Sequence, residues 1–258
     1  MTDVSVIGCG HMGSALVKGL SRTGTHRVTA CDLDTDALEA VEPYCSQTTT
    51  DIAAAATADV VFVAVKPRAI EAVLGDLDLP ADATLVTIAA GVPRSFVRQH
   101  TDATVIRVMP NLAAETGNMA AAVAWDDPDE EVAALLDDLG EFVEIDEESM
   151  DVATALNGSG PAFVYYLIQA MAKAAAAEGL DRDAAETLAA QTFKGAAETA
   201  IRSEEGLDDL IDAVCSPGGT TIEGMEVLWD SDVESVIDET LGAAADRSRE
   251  LAGGFDDE

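Results

Sequence analysis

The sequence predicts an α/β fold. A doubly wound, mostly parallel sheet fills the N-terminal half, and an all-helical half follows it. Three observations predict this. Short apolar runs alternate with helical patterns from Val4 to Ile145, as in a sheet covered on both faces. A Gly8-Cys9-Gly10-His11-Met12-Gly13 segment joins the first run to the first helical pattern. After Met150 no strand pattern recurs.

Residues 4–7 (Val-Ser-Val-Ile) read as a short buried strand. The glycine segment follows with GxGxxG spacing, and the next pattern places Ala15, Leu16 and Leu20 on one side of a helix. A strand before and a helix after are the context a dinucleotide-binding loop needs. Gly8 permits the tight turn, Gly10 lets the backbone approach a pyrophosphate, and Gly13 lets helix and strand pack closely. The helix N-terminus then faces the phosphates. A second strand over 27–32 ends in Asp32, 19 positions after Gly13. A carboxylate there can hydrogen-bond the adenosine ribose hydroxyls and repel a 2′-phosphate.

A short helix over 34–41 and an alanine-rich one over 53–58, with Asp51 ahead of it, come next. The run 59–65 is a strand buried on both faces; Lys66-Pro67 closes it and Pro67 launches a helix over 68–77. Residues 84–89 form the next strand, closed by Ala90-Gly91-Val92-Pro93 and a helix to His100. Residues 105–109 form another, closed by Pro110-Asn111. The small, Gly- and Pro-containing segments all sit at strand carboxyl ends, which marks the ligand edge of such a sheet. Residues 119–125 predict an antiparallel strand at the sheet edge. The acidic stretch 126–131 opens a helix, where carboxylates suit the helix dipole. Residues 142–145 are the last short strand.

In the second half, Asn157-Gly158-Ser159-Gly160-Pro161 opens a helix over 162–178 that is apolar almost all round. Such a helix must be surrounded by protein, and about a hundred residues of helices seldom bury it alone, so an intersubunit helical core is expected. Helices over 183–201 and 207–214 follow, then a small-residue stretch, Cys215-Ser216-Pro217-Gly218-Gly219-Thr220-Thr221, then helices over 222–229 and 233–251. Pro217 and the two glycines form a turn, and a helix starting just beyond leaves backbone N–H groups free for an anion such as a carboxylate. The expected domains are 1–152 and 153–252, with a disordered acidic tail over 253–258.

Asp and Glu number 49 against 14 Lys plus Arg, for a formal charge of −35 over 258 residues. That surface repels nucleic acid and anionic membranes. An apolar content of 48% separates the chain from disordered acidic proteins. A folded protein of a high-salt cytoplasm, where salt screens carboxylate repulsion, accounts for both. The start of the chain runs straight into a strand pattern without a charged and apolar leader, and no apolar run is long enough to span a bilayer, so a cytoplasmic location is expected. Cys9, Cys31, Cys45 and Cys215 form no CxxC and the three histidines are scattered, so no metal site is expected.

The motifs together resemble the pyrroline-5-carboxylate reductase family. They run in order over nearly the whole chain: Ile7 to Gly13, Ala64-Val65-Lys66-Pro67, Ile88-Ala89-Ala90-Gly91-Val92, Arg107-Val108-Met109-Pro110-Asn111, Gly158-Ser159-Gly160-Pro161-Ala162, and Cys215 through Ile222-Glu223. The resemblance implies a Rossmann-type domain followed by a helical dimerisation domain, assembled as a dimer or decamer. It implies NAD(P)H-dependent reduction of 1-pyrroline-5-carboxylate to L-proline, the last step of proline biosynthesis. Carried over, Gly8, Cys9, Gly10, His11 and Met12 hold the pyrophosphate; Ala64, Val65, Lys66, Pro67, Ala89, Ala90 and Gly91 line the cofactor; Pro110 and Asn111 lie near the nicotinamide. Ser216, Gly218, Gly219, Thr220 and Thr221 bind the substrate carboxylate through backbone amides, and the Thr221 hydroxyl meets the imine nitrogen.

Two departures are visible. The family usually continues Met-Pro-Asn with Thr-Pro-Ala, whereas this chain reads Leu112-Ala113-Ala114, and His11 stands where Asn is usual. Asp32 implies that NADH is accepted. Two other readings remain open at this stage. One is another imine reductase or a 3-hydroxyacid dehydrogenase of similar build; these usually carry a proton-donating Lys, but Lys173 and Lys194 lie in alanine-rich helices away from any glycine turn. The other is a dinucleotide sensor without turnover.

Overall fold

The computed structural model describes residues 1–255. The chain divides into two compact units, one of Met1–Ser159 with the residues from Leu241 onward, the other Gly160–Thr240. The sequence reading divides it at 152/153 instead. The segment after 150 stays with the first unit because Met150 is fully buried beside Met109, Ala122 and Ala124. The residues from Leu241 stay there too, since Ser248 donates to Asp151 Oδ1 at 2.5 Å.

The first unit holds one eight-stranded sheet. Its strands are β1 (Asp3–Ile7), β2 (Arg27–Cys31), β3 (Gln47–Thr49), β4 (Val60–Val63), β5 (Thr84–Thr87), β6 (Thr104–Met109), β7 (Met119–Ala124) and β8 (Gly140–Glu144). Their order is β3-β2-β1-β4-β5-β6-β7-β8. All neighbours are parallel except β6 and β7. The strand order reverses between β1 and β4, so their carboxyl ends frame the crevice where open α/β sheets take ligands. β7 is antiparallel, as expected, but it is not the edge strand. Helix α6 (Glu130–Leu139) carries the chain back across the sheet, and β8 then pairs in parallel outside β7. β3 escapes sequence reading because Gln-Thr-Thr has no apolar alternation.

Helices α1 (His11–Ser21), α2 (Thr35–Val41) and α6 cover one face, and α3 (Ile52–Ala55), α4 (Ile70–Asp76) and α5 (Arg94–Val97) the other. β4 shows why its sequence is continuously apolar: Val60 and Phe62 enter one core, Val61 and Val63 the other. Asp34, Asp51 and Asp129 each cap a helix by accepting first-turn N–H groups. Within the tail expected to be unstructured, the Phe255 ring packs edge-on against Phe96 with centroids 4.9 Å apart. Residues 256–258 lie outside the described residues.

Helix α7 (Met150–Ala153) runs through a π turn, Thr154–Gly158, to the start of α8 (Gly160–Ala177). The second unit contains α8, α9 (Arg182–Arg202), α10 (Leu207–Val214), α11 (Thr220–Trp229) and the first part of α12 (Val233–Ala252). Helices α8 and α9 pack closely through Ala172, Ala185 and Ala189. Within one chain, however, Ala172 is the only residue of α8 that is buried. Tyr165 and Tyr166 are 68% and 71% exposed, and Val164, Leu167 and Met171 also stay open. Among the described residues no helix is long and apolar enough to cross a membrane.

Candidate active site

The glycine loop leaves β1 at Gly8, where φ is +97° and a side chain would be strained. Gly8 donates its N–H to the Cys31 carbonyl at 2.8 Å, which ties the loop to the end of β2. Cys9 N–H donates to Asp32 Oδ2 at 2.6 Å, and Asp34 N–H donates to Asp32 Oδ1 at 2.9 Å. Both oxygens of Asp32 therefore already serve the fold, while each keeps capacity for another donor. Ser14 Oγ donates to the Cys9 carbonyl at 2.8 Å and closes the loop from the helix side.

Two glycines differ in what surrounds them. A Cβ on Gly13 would overlap the Gly8 carbonyl oxygen, whereas one on Gly10 would meet nothing within 4 Å. Gly13 is thus required by packing, and Gly10 faces open space. No side chain caps the first turn of α1. The open cradle over Gly10 and the uncapped N–H groups of an eleven-residue helix suit a pyrophosphate.

Burial pushes the Cys9 thiol up to about 12, with the Asp32 charge adding to it. Cys31 rises to about 11 for the same two reasons. Both thiols are protonated at neutral pH and supply no nucleophile.

Two cavities flank the loop along the carboxyl edge of the sheet, sharing Val65. The first, of about 510 Å³, has apolar walls that include Leu33, Ile52 and Val73, with Asp32, Asp51 and Asp76 as its charged lining and no Lys or Arg. The second, of about 410 Å³, is lined by Gly10, His11, Met12, Ala64, Lys66, Ala89, Ala90 and Pro110, together with Met109, Thr154, Gly158 and Ser159. The geometry fits a dinucleotide whose adenosine half takes the first cavity and whose other half takes the second.

Most of the residues expected to hold the cofactor gather here, but four of those fifteen do not line either cavity. Cys9 is buried behind the loop. Pro67 begins the turn ahead of α4. Gly91 is covered by the end of α12: a Cβ there would stand 2.9 Å from Ala252 N. Asn111 is buried, and its Oδ1 accepts from Ala113 N at 3.1 Å and from Ala120 N at 3.4 Å. Sequence reasoning left Leu33, Asp51, Thr154 and Ser159 without a role. The small residues around Ser159 were visible, but nothing local says that they face β6.

Elsewhere in the first unit an ionic group ties β6 and α5 to the segment before α7. Glu147 Oε1 accepts from Arg94 N at 2.7 Å and from Arg107 Nη1 at 3.3 Å, and its Oε2 accepts from Arg94 Nε at 2.8 Å. Burial would raise the Glu147 pKa, but hydrogen bonds and charge from the two arginines outweigh it and hold the carboxyl below its ordinary value. At Arg107 burial wins over Glu147 and lowers the pKa. Both values fall, but different causes win: the arginine partners at Glu147, whose side chain is 25% exposed, and burial at Arg107, whose side chain is 6% exposed.

In the second unit, Ser216 to Gly219 form a turn in which Gly219 N–H donates to the Ser216 carbonyl at 2.9 Å. Gly218 has φ +68°. Gly219 precedes α11, and no side chain caps it. Thr220 and Thr221 are the first two residues of that helix, two positions earlier than the sequence pattern places its start. The N–H groups of its first turn have no acceptor within the helix. The loop is a helix-opening turn, and it contains no acid, base or metal ligand.

A family model described as pyrroline-5-carboxylate reductase dimerisation matches residues 147–251. One described as NADP oxidoreductase, coenzyme F420-dependent, matches residues 3–91. A pyrroline-5-carboxylate reductase of Methanosarcina acetivorans is 36% identical over 96% of this chain and 97% of its own length. One of Pisum sativum is 34% identical over 95% and 94%. A solved structure of a pyrroline-5-carboxylate reductase from Coxiella burnetii superposes with a TM-score of 0.87 at 29% identity, covering 97% of this chain and 98% of that one. The helical half is a dimerisation domain, which accounts for the apolar faces left open on α8. With sheet, glycine loop and helical half all matched over nearly its whole length, the chain belongs to the pyrroline-5-carboxylate reductase family.

Proposed function

We propose that the protein reduces 1-pyrroline-5-carboxylate to L-proline with a nicotinamide dinucleotide, the closing step of proline biosynthesis. The observation that carries this reading is the pair of cavities on either side of an open glycine cradle, in a chain of this family. A dinucleotide held there would supply the hydride that the imine carbon takes up. The chain's own residues do the rest. Gly8, Gly10, His11 and Met12 hold the pyrophosphate, and Ala64 to Lys66, Ala89, Ala90 and Pro110 wall the reactive half. Gly218, Gly219 and Thr220 offer backbone to the substrate carboxylate. The Thr221 hydroxyl hydrogen-bonds the imine nitrogen and orients the ring. A protonated imine is already electrophilic, so positioning contributes more than a strong general acid. Cys9, Pro67, Gly91 and Asn111 support these walls from behind.

The charge of the first cavity favours NADH. Asp32, Asp51 and Asp76 line it without a cation to receive a 2′-phosphate. The protein self-associates through its helical half, as a dimer or a ring of dimers, and its formal charge of −35 fits a salt-rich cytoplasm. The deciding experiment follows NADH and NADPH oxidation with 1-pyrroline-5-carboxylate at molar KCl. Turnover supports the proposal. Cofactor binding without turnover, or turnover of 3-hydroxyacids instead, overturns it.

A further inference from the structure

Asn157 sits inside the π turn between α7 and α8. Its Nδ2 donates to the Met109 carbonyl at 2.6 Å and to the Ala120 carbonyl at 2.9 Å. Both hydrogens of the amide are thereby spent on two carbonyls that lie 48 and 37 residues away in the chain. The β6–β7 ladder ends at the Met109–Ala122 pair. Pro110 follows and has no N–H to continue it. Asn157 therefore supplies, from a side chain, the donors the ladder lacks where the two strands part. Asn111 completes the joint by accepting the Ala120 N–H at 3.4 Å. Ala120 is thus held on its N–H side by one asparagine and on its carbonyl side by the other.

The joint stands directly behind the reactive cavity. Met109 and Pro110 form one wall of it, and Thr154, Gly158 and Ser159, from the same turn and its end, form another. π turns are rare and recur at functional sites. Here the turn places a bridging amide on the sheet, with Thr154 before it and Gly158 and Ser159 after it lining the cavity. The two walls cannot move independently while the amide holds.

We infer that Asn157 is a positioning residue for hydride transfer: by clamping Met109 and Ala120 to the π turn it sets the distance between the two walls of the cavity that takes the reactive half of the cofactor. This rests on the proposed reductase activity for its kinetic arm only. Small displacements of a cofactor wall are costly because hydride transfer depends on near-contact geometry.

The test compares the wild type with Asn157→Ala and Asn157→Ser in three measurements. In cofactor-free protein, hydrogen exchange in peptides spanning Arg107 to Ala122 is expected to speed up by about tenfold in Asn157→Ala, as two hydrogen bonds are lost. The Kd for NADH is expected to weaken about threefold to tenfold. In the assay, kcat is expected to fall about tenfold or more with the KM for the imine within about twofold. Asn157→Ser, which keeps one donor on a shorter arm, is expected between the two and covers the case in which the alanine variant does not fold. Folded variants with wild-type Kd and kcat, and only a lower Tm, would overturn the proposal. A wild type that binds NADH but does not turn over the imine would sink the reductase reading, while the exchange and Kd arms still decide the role of Asn157.

Discussion

The backbone N–H of Cys9 and the carboxylate of Asp32 meet at 2.6 Å, so the residue expected to choose the cofactor also holds the glycine loop in shape. Its second oxygen accepts Asp34 N–H at 2.9 Å. Charge and loop geometry can be separated by substitution. Asp32→Asn removes the charge and keeps an acceptor for Cys9, giving up only the one for Asp34. Relative to wild type, its ratio of kcat/KM for NADPH over NADH is expected to rise about tenfold, since one unit charge near a phosphate is worth ~1–4 kcal/mol. Asp32→Ala is expected to show the same shift and, in addition, a stability loss of about 1.5–3 kcal/mol from the lost charged hydrogen bonds. An unchanged ratio in both variants would remove Asp32 from cofactor choice.

Gly10 and Gly13 look alike in the motif and are expected to behave differently. A methyl at Gly13 collides with the Gly8 carbonyl, so Gly13→Ala is expected to lower stability by about 1–3 kcal/mol with or without cofactor. A methyl at Gly10 meets nothing. Gly10→Ala is expected to keep the wild-type Tm and to weaken NADH binding about tenfold or more. Paired thermal melts and binding titrations check both, and undiminished affinity in Gly10→Ala would move the pyrophosphate elsewhere.

Thr221 lies in the first turn of α11, beside unpaired backbone donors. Thr221→Ala is expected to lower kcat/KM by roughly 10- to 1000-fold, the cost of one transition-state hydrogen bond of about 1.5–4 kcal/mol. Thr221→Ser is expected to recover most of it. Steady-state kinetics with the imine decide, and a wild-type value for the alanine variant would exclude the hydroxyl from the mechanism.

Glu147 gives the fold a pH dependence with a definite sign. Its folded pKa is depressed, so its contribution is fully present above the unfolded value near 4.5 and is lost as pH falls from there through the folded value. Glu147→Gln leaves Arg107 without its countercharge and is expected to cost about 3 kcal/mol at pH 7. It is also expected to flatten the stability curve below pH ~5 relative to wild type. Denaturant melts between pH 3 and 7 on both proteins, bounded by the ordinary carboxyl range, test this; parallel curves would refute it.

Salt is expected to raise stability. With 49 acidic against 14 basic residues, carboxylate repulsion is the term that screening removes, and the Debye length falls to ~3 Å at 1 M. Tm measured from low to molar KCl is expected to climb throughout. A Tm independent of salt would mean that the acidic surface carries no such adaptation.

The periodic features were legible in the chain. Alternation of apolar runs with helices, the glycine loop after β1 and the small residues at strand ends all leave local patterns, because each reflects the geometry of neighbouring residues. The turn before α11 was legible for the same reason, through Pro217, Gly218 and Gly219. The ordering of β7 inside β8 was not, because it depends on where α6 sets the chain down. Nor was the tether of Phe255 on Phe96, a contact across 159 positions of sequence.

Sequence by itself determined the fold class, the family and the identity of most residues around the cleft. Tertiary structure decided their division of labour. Gly10 and Gly13 share a motif, yet one faces open space and the other a carbonyl. Gly91 and Asn111 belong to ligand-edge segments, yet one is covered by α12 and the other ties Ala120. Asn157 opens a small-residue stretch visible in the sequence, yet its role appears only once its amide is seen between Met109 and Ala120. The physical reason is common to all of them. Hydrogen bonds and close contacts between distant segments depend on distance and direction in space, and these leave no periodicity in the residues that make them.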